Sequence, residues 1–286
     1  MNTSASAVDE ARDHLGLNAR QVGIARDRLP LRPLPVDPLI ADRVYSAGEA
    51  ADGSEAGAVH VESYEAPTVE RFTVYRYHRK GVLNEHLCHG WPAAGYDFPA
   101  LTTVVFEFPT MTVLGADLLP IADVAFDRTY YGRWMLGYAA LLAKHWPGLV
   151  AHRLGPEPAP DAYFTNQIGS TLSLLAYLDA AAVEPAVAFL AEATELWAAL
   201  AADAKPRDTP DAPDVERRRL ALMKRAYKGL DYHSPASDGL AAVLGWRGAN
   251  LMFDHVFGPD EEPQPMDERR IYLDVTTSPG AAPRPV

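Results

Sequence analysis

Asp117 is the residue in this sequence best suited to chemistry. It follows Gly115 by two positions and has leucines on both sides, at Leu114 and Leu118. A glycine lets neighbouring backbone pack closely, and apolar neighbours place the carboxyl group in surroundings of low polarity. Such burial raises a carboxyl pKa and gives a proton donor that works near neutral pH. The alternative is an aspartate that caps or turns the chain, and the segment taken alone favours that alternative.

A metal site is the first alternative to acid–base chemistry at Asp117, because His86, Cys88 and His89 lie close together in the sequence. In a strand, residues 86 and 88 share one face while residue 89 points away, so at most two of them could bind one ion. We therefore expect no metal, and the alternative is a half-buried strand end whose histidines bond backbone carbonyls. Nucleophilic catalysis has little support, since no Gly-x-Ser-x-Gly motif is present and Cys88 lacks a recognisable third group.

Composition predicts a single, soluble, acidic domain. The chain has 286 residues, of which 48% are hydrophobic, and a formal charge of -12. An acidic surface argues against nucleic-acid binding. The single cysteine excludes an internal disulfide and suits a reducing cytoplasm. No signal peptide or membrane-spanning run of about 18 apolar residues is recognisable, so we expect no membrane association.

Hydrophobic periodicity predicts strands first and helices afterwards. Residues alternate with period two from Val69 to Arg76, and β-rich runs recur up to Gly115. Consecutive strands without intervening helices indicate antiparallel pairing. The predicted strands span 58–79, 101–108 and 111–114, and the predicted helices 130–146, 183–204 and 215–232. Pro147 is expected to end the first of these helices. This order favours an α+β fold, and no Rossmann or phosphate-loop glycine pattern is present.

The predicted domain organisation has three parts. Residues 1–55 form a short helix and a Pro-rich extended linker over 28–39, residues 56–258 form the single core domain, and residues 259–286 form a Pro- and acid-rich tail. The tail contains one possible late strand at 270–276. Its last residues are expected to be mobile.

An ordered series of motifs resembles the ferredoxin-dependent bilin reductases. That family has a strand ending in Phe-Pro, then a Leu-Gly-x-Asp motif, then a strand that leads to Asp; the matches are Phe108-Pro109, Leu114 to Leu119, and Ile121-Ala122-Asp123. Further matches are Arg153 before a Pro-containing segment, His233-Ser234-Pro235, Leu244-Gly245-Trp246 and Val256-Phe257. The motifs are short, and their specificity lies in their order over residues 59–257.

The resemblance implies a three-layer α/β/α sandwich with a central antiparallel sheet. It also implies a linear tetrapyrrole held between sheet and helices, no bound metal or flavin, and electrons from an external reduced ferredoxin. Asp117 would be the proton donor in a radical mechanism, which is general acid catalysis. Arg153 would pair with a substrate carboxylate, a role that suits arginine; a solvated surface charge is the alternative for Arg153.

Other positions of the resemblance carry different residues. Ser234 stands where family members have a second acid on the helix side, so Asp231 or Asp238 would have to substitute. Tyr75 lies near the position of an early-strand glutamate, and His86 and His89 are expected on a loop that reaches the pocket mouth. Tyr75, His86, His89, Ser234 and Asp231 are accordingly predicted substrate-binding residues together with Arg153.

The sequence therefore predicts a cytoplasmic oxidoreductase that acts on CH–CH bonds of biliverdin, another bilin, or a related conjugated carboxylate. Ferredoxin, which is acidic, would dock on a basic patch despite the net charge. The candidate patch lies on the predicted helix at 215–232 and consists of Arg217, Arg218, Arg219, Lys224, Arg225 and Lys228. Two alternatives remain: a non-catalytic tetrapyrrole-binding protein, and a cofactor-free enzyme of specialised metabolism that uses the pocket for acid–base chemistry.

Overall fold

A central antiparallel sheet carries the other elements of the computed structural model, which describes residues 15–45, 57–79, 81–121, 127–154, 170, 172–206 and 235–258. The strands are β1 (Arg32–Leu34), β2 (Asp42–Tyr45), β3 (Gly57–Ala66), β4 (Val69–Arg79), β5 (Leu83–Pro92), β6 (Ala100–Glu107), β7 (Met111–Leu119) and β8 (Leu174–Asp179). The helices are α1 (Leu17–Arg28), α2 (Pro38–Ala41), α3 (Arg128–Tyr130), α4 (Leu136–Val150), α5 (Val183–Asp203) and α6 (Pro235–Phe257).

The sheet has eight strands in the order β1-β3-β4-β5-β6-β7-β8, and β2 pairs with β3 beside β1. Strands β3 to β7 follow one another along the chain and pair with their neighbours, as expected for strands that no helix separates. Strand β8 is added to β7 after the α3–α4 segment. The predicted antiparallel architecture is confirmed.

One face of the sheet is covered by α1, α4 and α5. Trp197 of α5 lies over Gly90, where a Cβ atom would come within 2.3 Å of the indole ring. The Trp197 indole also donates a hydrogen bond of 3.0 Å to the carbonyl of Pro99. Gln21 of α1 bonds the hydroxyl of Thr103 in β6 at 2.9 Å. We call this side the helical face.

Helix α6 packs against the opposite face, which we call the ligand face. Its last turn is held by side chains of the sheet: the carbonyl of His255 accepts a bond of 3.0 Å from Thr73, and that of Val256 accepts one of 2.9 Å from Trp91. These donors satisfy carbonyls that have no partner within the helix. Gly245, with φ of 67°, interrupts the helical backbone of α6. The protein is thus a three-layer α/β/α sandwich, as predicted.

Three local predictions need correction. Part of the 28–39 linker is a strand, because β1 pairs with β3 through Pro33 opposite Tyr64, and proline is tolerated at a sheet edge. Pro147 lies inside α4, which continues to Val150 and buries Leu149. His86 and His89 lie within β5 and not on a loop. The predicted helix at 215–232 and the tail strand at 270–276 lie outside the described residues.

Helix α5 with the turn before it, 24 residues in all, is long and apolar enough by length and composition to cross a bilayer. Half of the apolar 18-residue stretch within it is nevertheless buried inside the protein. Phe189, Leu190 and Trp197 all point into the core with no exposed surface. The segment has the properties of a core helix in the layer that covers the sheet.

Candidate functional site

Four polar side chains form a straight line across the ligand face. Thr73 pairs with His89, His89 pairs with Thr102, and Thr102 pairs with Asp117 on successive antiparallel strands. Partners in such pairs share a face, with Cβ atoms about 4.5–5.5 Å apart. We call these four residues the polar row. It brings an imidazole and a carboxyl group to either side of Thr102.

Asp117 occupies the β7 end of the polar row and is buried, with 1% of its surface exposed. Its two carboxylate oxygens accept hydrogen bonds from Ser170, one from the hydroxyl and one from the backbone N–H, both at 2.6 Å. Burial raises the pKa of Asp117 to about 6, although the bonds from Ser170 act in the opposite direction. At pH 7 about one molecule in ten therefore carries the proton.

Ser170 belongs to the turn that leads into β8. Its hydroxyl accepts a bond of 3.0 Å from the Leu172 N–H, and its carbonyl accepts one of 3.0 Å from the Ser173 N–H. The Asp117 carboxyl group is therefore a titratable acid that also has a structural role, because it fixes the turn before β8 through Ser170. Sequence reasoning missed Ser170, although a serine that bonds backbone nearby is a common turn signal.

His89 lies next along the polar row and is 2% exposed. Its ring stacks parallel to Trp91 at a centroid distance of 6.2 Å and is tilted against Phe257 of α6 at 5.1 Å. Within the described part of the chain, neither ring nitrogen has a hydrogen-bond partner. Burial lowers the pKa of His89 to about 3, so the imidazole is neutral at physiological pH.

A second acid, Glu85, lies on the same face of β5 as His89. It is 3% exposed and accepts a hydrogen bond from the hydroxyl of Tyr75 in β4. Burial raises the pKa of Glu85 to about 7, against the opposing effect of the Tyr75 bond. Four residues of strand separate Glu85 from His89, which is about 13 Å. Sequence reasoning missed Glu85; the face it shares with residue 89 was the available signal.

The ligand face of β6 and β8 is only partly covered. From Leu101 to Phe106 in β6 and along β8, side chains on the helical face are buried, whereas those on the ligand face alternate with them and are half-buried. The half-buried residues are mainly apolar: Thr102, Val104, Phe106, Leu175 and Tyr177. Gly115 lies among them, and a Cβ atom there would come within 2.6 Å of the Val104 side chain. The polar row thus borders a partly exposed apolar surface, and apolar surface with a few polar groups is typical of small-molecule sites.

The predicted residue His86 points to the helical face, away from Asp117. Its ring is completely buried and makes contacts of 3.1 Å to Asn18 in α1 and to Asn84. Cys88 shares this face and is also buried. The predicted separation of residues 86 and 88 from residue 89 is confirmed, and the geometry does not bring His86 to the polar row.

Arg153 lies at the outer edge of the sheet, where its backbone forms a bridge to Leu178 of β8. Its guanidinium group lies over the Trp146 ring of α4 at 5.9 Å. Leu178 pairs with Thr112, and Asp117 lies about 16 Å further along β7 at a rise of about 3.3 Å per residue. The structure therefore does not bring Arg153 next to the carboxyl group of Asp117.

Ser234 and Asp231, together with the six basic residues of the expected docking patch, lie outside the described residues. Tyr75 does reach the ligand face, through its bond to Glu85. Among the residues that the structure describes, no group of three His, Cys, Asp or Glu side chains is arranged to hold a metal ion.

Comparisons with known proteins show the fold of this chain. No family model matches it, and no curated protein matches its sequence. Among solved structures, it is similar to phytochromobilin synthase from tomato in complex with biliverdin, with a TM-score of 0.70 and 12% identity. The likeness covers 86% of this chain and 83% of the tomato chain. This chain therefore shares its α+β fold with that structure.

Proposed function

We propose that this protein binds a linear tetrapyrrole, or a related conjugated and carboxylate-bearing ring system, on the ligand face and reduces one of its double bonds. Electrons come singly from an external reduced ferredoxin, and Asp117 supplies a proton. The observation that carries this proposal is a buried carboxyl group with a raised pKa on a half-open, apolar sheet face. The biliverdin in the tomato structure of the same fold supports the choice of ligand.

The reaction consumes two electrons and two protons. The first electron converts the bound ring system into a radical anion, and the protonated carboxyl group of Asp117 then transfers its proton to that anion. A second electron and a second proton complete a dihydro product, and the Asp117 carboxylate recovers its proton from solvent. General acid catalysis of this kind accelerates a reaction by roughly 10² to 10⁴.

Other residues are proposed to contact the ligand, on observations of different kinds. Tyr75 and His89 share the ligand face with Asp117 and are proposed to line the site. Arg153 would have to contact a carboxylate at the far edge of a ligand, because it lies over Trp146. Ser234 and Asp231 stay sequence-based proposals.

An absorbance titration with biliverdin followed by anaerobic reduction with ferredoxin tests the proposal. Wild-type protein should shift the biliverdin spectrum and then reduce the pigment, and Asp117→Asn should bind it while losing turnover. Asp203→Asn, at an exposed aspartate near the end of α5, is the matched control and should behave as wild type. Absence of any spectral shift with wild-type protein would exclude the bilin version of the proposal.

A non-catalytic binding protein is the second candidate, and one observation favours it. Both oxygens of Asp117 already accept bonds from Ser170, so the carboxylate has a structural use in fastening the turn before β8. A binding protein would shift the biliverdin spectrum but show no reduction by ferredoxin. Asp117→Asn would then lower the melting temperature without changing any reaction rate.

A further inference from the structure

The Asp117 carboxyl group has almost no direct contact with water. Only 1% of the residue is exposed, yet the proposed reaction removes a proton from it in every turnover. The carboxylate must therefore recover that proton through a neighbouring group. Proton transfer in proteins is carried mostly by side chains with an exchangeable proton, so such a side chain is expected in contact with the carboxylate.

Ser170 is placed to carry this proton. Its hydroxyl donates to Asp117 Oδ1 at 2.6 Å, a length typical of short bonds between a hydroxyl and a carboxylate. Ser170 is half-buried, so its side chain is nearer to solvent than the carboxyl group is. The Leu172 N–H donates to the same hydroxyl oxygen at 3.0 Å and fixes its position. A hydroxyl oxygen has two lone pairs, so the second one can accept a proton from solvent.

Other titratable groups near Asp117 are poorly placed for this role. Burial, and to a smaller extent the charge of Asp117, raise the pKa of Tyr138 in α4, and this residue has no exposed surface. His89 lies about 10 Å away at the usual strand spacing, beyond Thr102, and burial lowers its pKa to about 3. Among the described residues, Ser170 is the side chain that is hydrogen-bonded to the Asp117 carboxyl group.

We propose that Ser170 is a proton relay, which passes a proton from solvent to the Asp117 carboxylate after each proton transfer to the ligand. The Ser170 O–H bond breaks as the Asp117 Oδ1–H bond forms, and a hydronium ion or buffer acid supplies the proton of a new Ser170 O–H bond. One proton enters, no electron moves, and the serine ends unchanged. This inference rests on the proposed function and adds the route by which its acid is reloaded.

Steady-state reduction of biliverdin by ferredoxin at pH 7 separates a relay from a residue that only holds Asp117 in place. Ser170→Ala removes a hydrogen bond to the carboxylate, which raises the protonated fraction of Asp117 and by itself would maintain or increase turnover. Loss of a relay should instead lower turnover by roughly 10-fold, because a water molecule in the vacated space replaces the hydroxyl only in part.

Two further variants serve as matched comparisons in the same assay. Ser170→Thr keeps a hydroxyl at the same position and should retain most of the wild-type turnover. Ser173→Ala removes a hydroxyl from the same turn, where Ser173 bonds the Ser170 carbonyl through its backbone N–H, and should behave as wild type. Thermal melting of each variant shows whether it is folded at the temperature of the assay.

A single turnover at pH 5 gives a second signature. At this pH, one unit below the Asp117 pKa of about 6, about nine tenths of the protein already carries the proton. The first reduction step of Ser170→Ala should therefore proceed at the wild-type rate, and the step that needs the second proton should be slow. A variant in which Asp117 is only misplaced would be slow in both steps.

The two proposals fail in different ways. If wild-type protein does not reduce biliverdin, the proposed function is overturned and this inference falls with it. If wild-type protein is active and folded Ser170→Ala turns over at least as fast at pH 7, or Ser170→Thr is as slow as Ser170→Ala, the inference alone is overturned.

The wild-type protein decides the question if Ser170→Ala does not fold. At pH 8 the carboxylate form of Asp117 predominates, so proton uptake limits turnover. A plot of turnover against the fraction of D2O should be curved, because two protons move together through the relay. A straight line, which indicates a single moving proton, would overturn the inference.

Discussion

Ser170 offers the most specific perturbation of the Asp117 carboxyl group. Its hydroxyl donates to one carboxylate oxygen and its backbone N–H to the other, both at 2.6 Å. Ser170→Ala removes the hydroxyl bond and leaves the backbone bond in place. Because a hydrogen bond to the ionised form stabilises that form, its loss should raise the pKa of Asp117 further.

The size of the change follows from the strength of such a bond. A hydrogen bond to a charged group contributes about 1.5–3 kcal/mol, and one pKa unit corresponds to about 1.4 kcal/mol. Even the lower figure moves the pKa of Asp117 by about one unit from its value of about 6. The protonated fraction at pH 7 should then rise from about one tenth to about one half.

The assay is the pH dependence of biliverdin reduction by ferredoxin. If proton donation by Asp117 limits the rate, activity falls above the pKa, and Ser170→Ala should move that alkaline limb upward by about one pH unit. The control is Ser173→Ala in the same turn. Ser173 bonds Ser170 through its backbone N–H, which the substitution retains, so the alkaline limb should stay in place. An alkaline limb that stays at its wild-type pH in Ser170→Ala would refute the assignment of Asp117 as the acid.

Three further predictions test the electrostatics of the ligand face and the packing on both faces of the sheet. The pKa of Glu85 is raised from 4.5 to about 7, so the folded protein holds a proton on Glu85 more tightly than the unfolded chain does. The resulting stabilisation of the folded state is complete below about pH 4.5 and is lost as the pH rises through 7. In melting curves from pH 5 to 8, Glu85→Gln should therefore lose less stability than wild type. Gly115→Ala should lower the free energy of unfolding by about 1–3 kcal/mol, because its Cβ atom would lie 2.6 Å from the Val104 side chain. Adding Val104→Ala should recover part of that loss, and a strictly additive double mutant in urea unfolding would disprove the contact. Gly90→Ala should be more damaging in the same assay, because the Trp197 ring 2.3 Å away is fully buried, and a wild-type midpoint would contradict the packing.

Helices α4 and α5 and strands β3, β4 and β6 were predictable because their periodicity is strong. In β4, Phe72 and Val74 alternate with Thr73 and Tyr75 across the two faces, as predicted. In α5, the apolar face that includes Leu190 and Trp197 is buried as predicted. In such elements the two faces differ in their surroundings, and this difference produces the periodic sequence pattern from which the element is predicted.

The missed elements have weaker local signals. Strand β8 is a six-residue apolar run, Leu174–Asp179, whose length and composition do not separate a strand from a turn of helix. Strand β1 contains Pro33, which argues against a central strand but not against an edge. Helix α4 continues past Pro147 because the packing of Leu149 against the core outweighs one lost hydrogen bond.

The candidate site was predictable in part. The apolar neighbours of Asp117 gave its burial and the direction of its pKa shift. The polar row could not be predicted, because it depends on the register between strands. That register is set by turns and long-range pairing and cannot be read from the sequence of a single strand. Strand β5 is buried on both faces, so polarity does not alternate along it, and the roles of Glu85, His86 and His89 could not be separated by pattern alone.

Single-turnover reduction of biliverdin under anaerobic conditions, with stoichiometric reduced ferredoxin, tests the central claim most directly. Wild-type protein should bleach or shift the bound pigment, and Asp117→Asn should bind it with a similar spectrum while reacting roughly 10² to 10⁴ times more slowly. Equal rates for the two proteins would contradict the role of Asp117 as the proton donor.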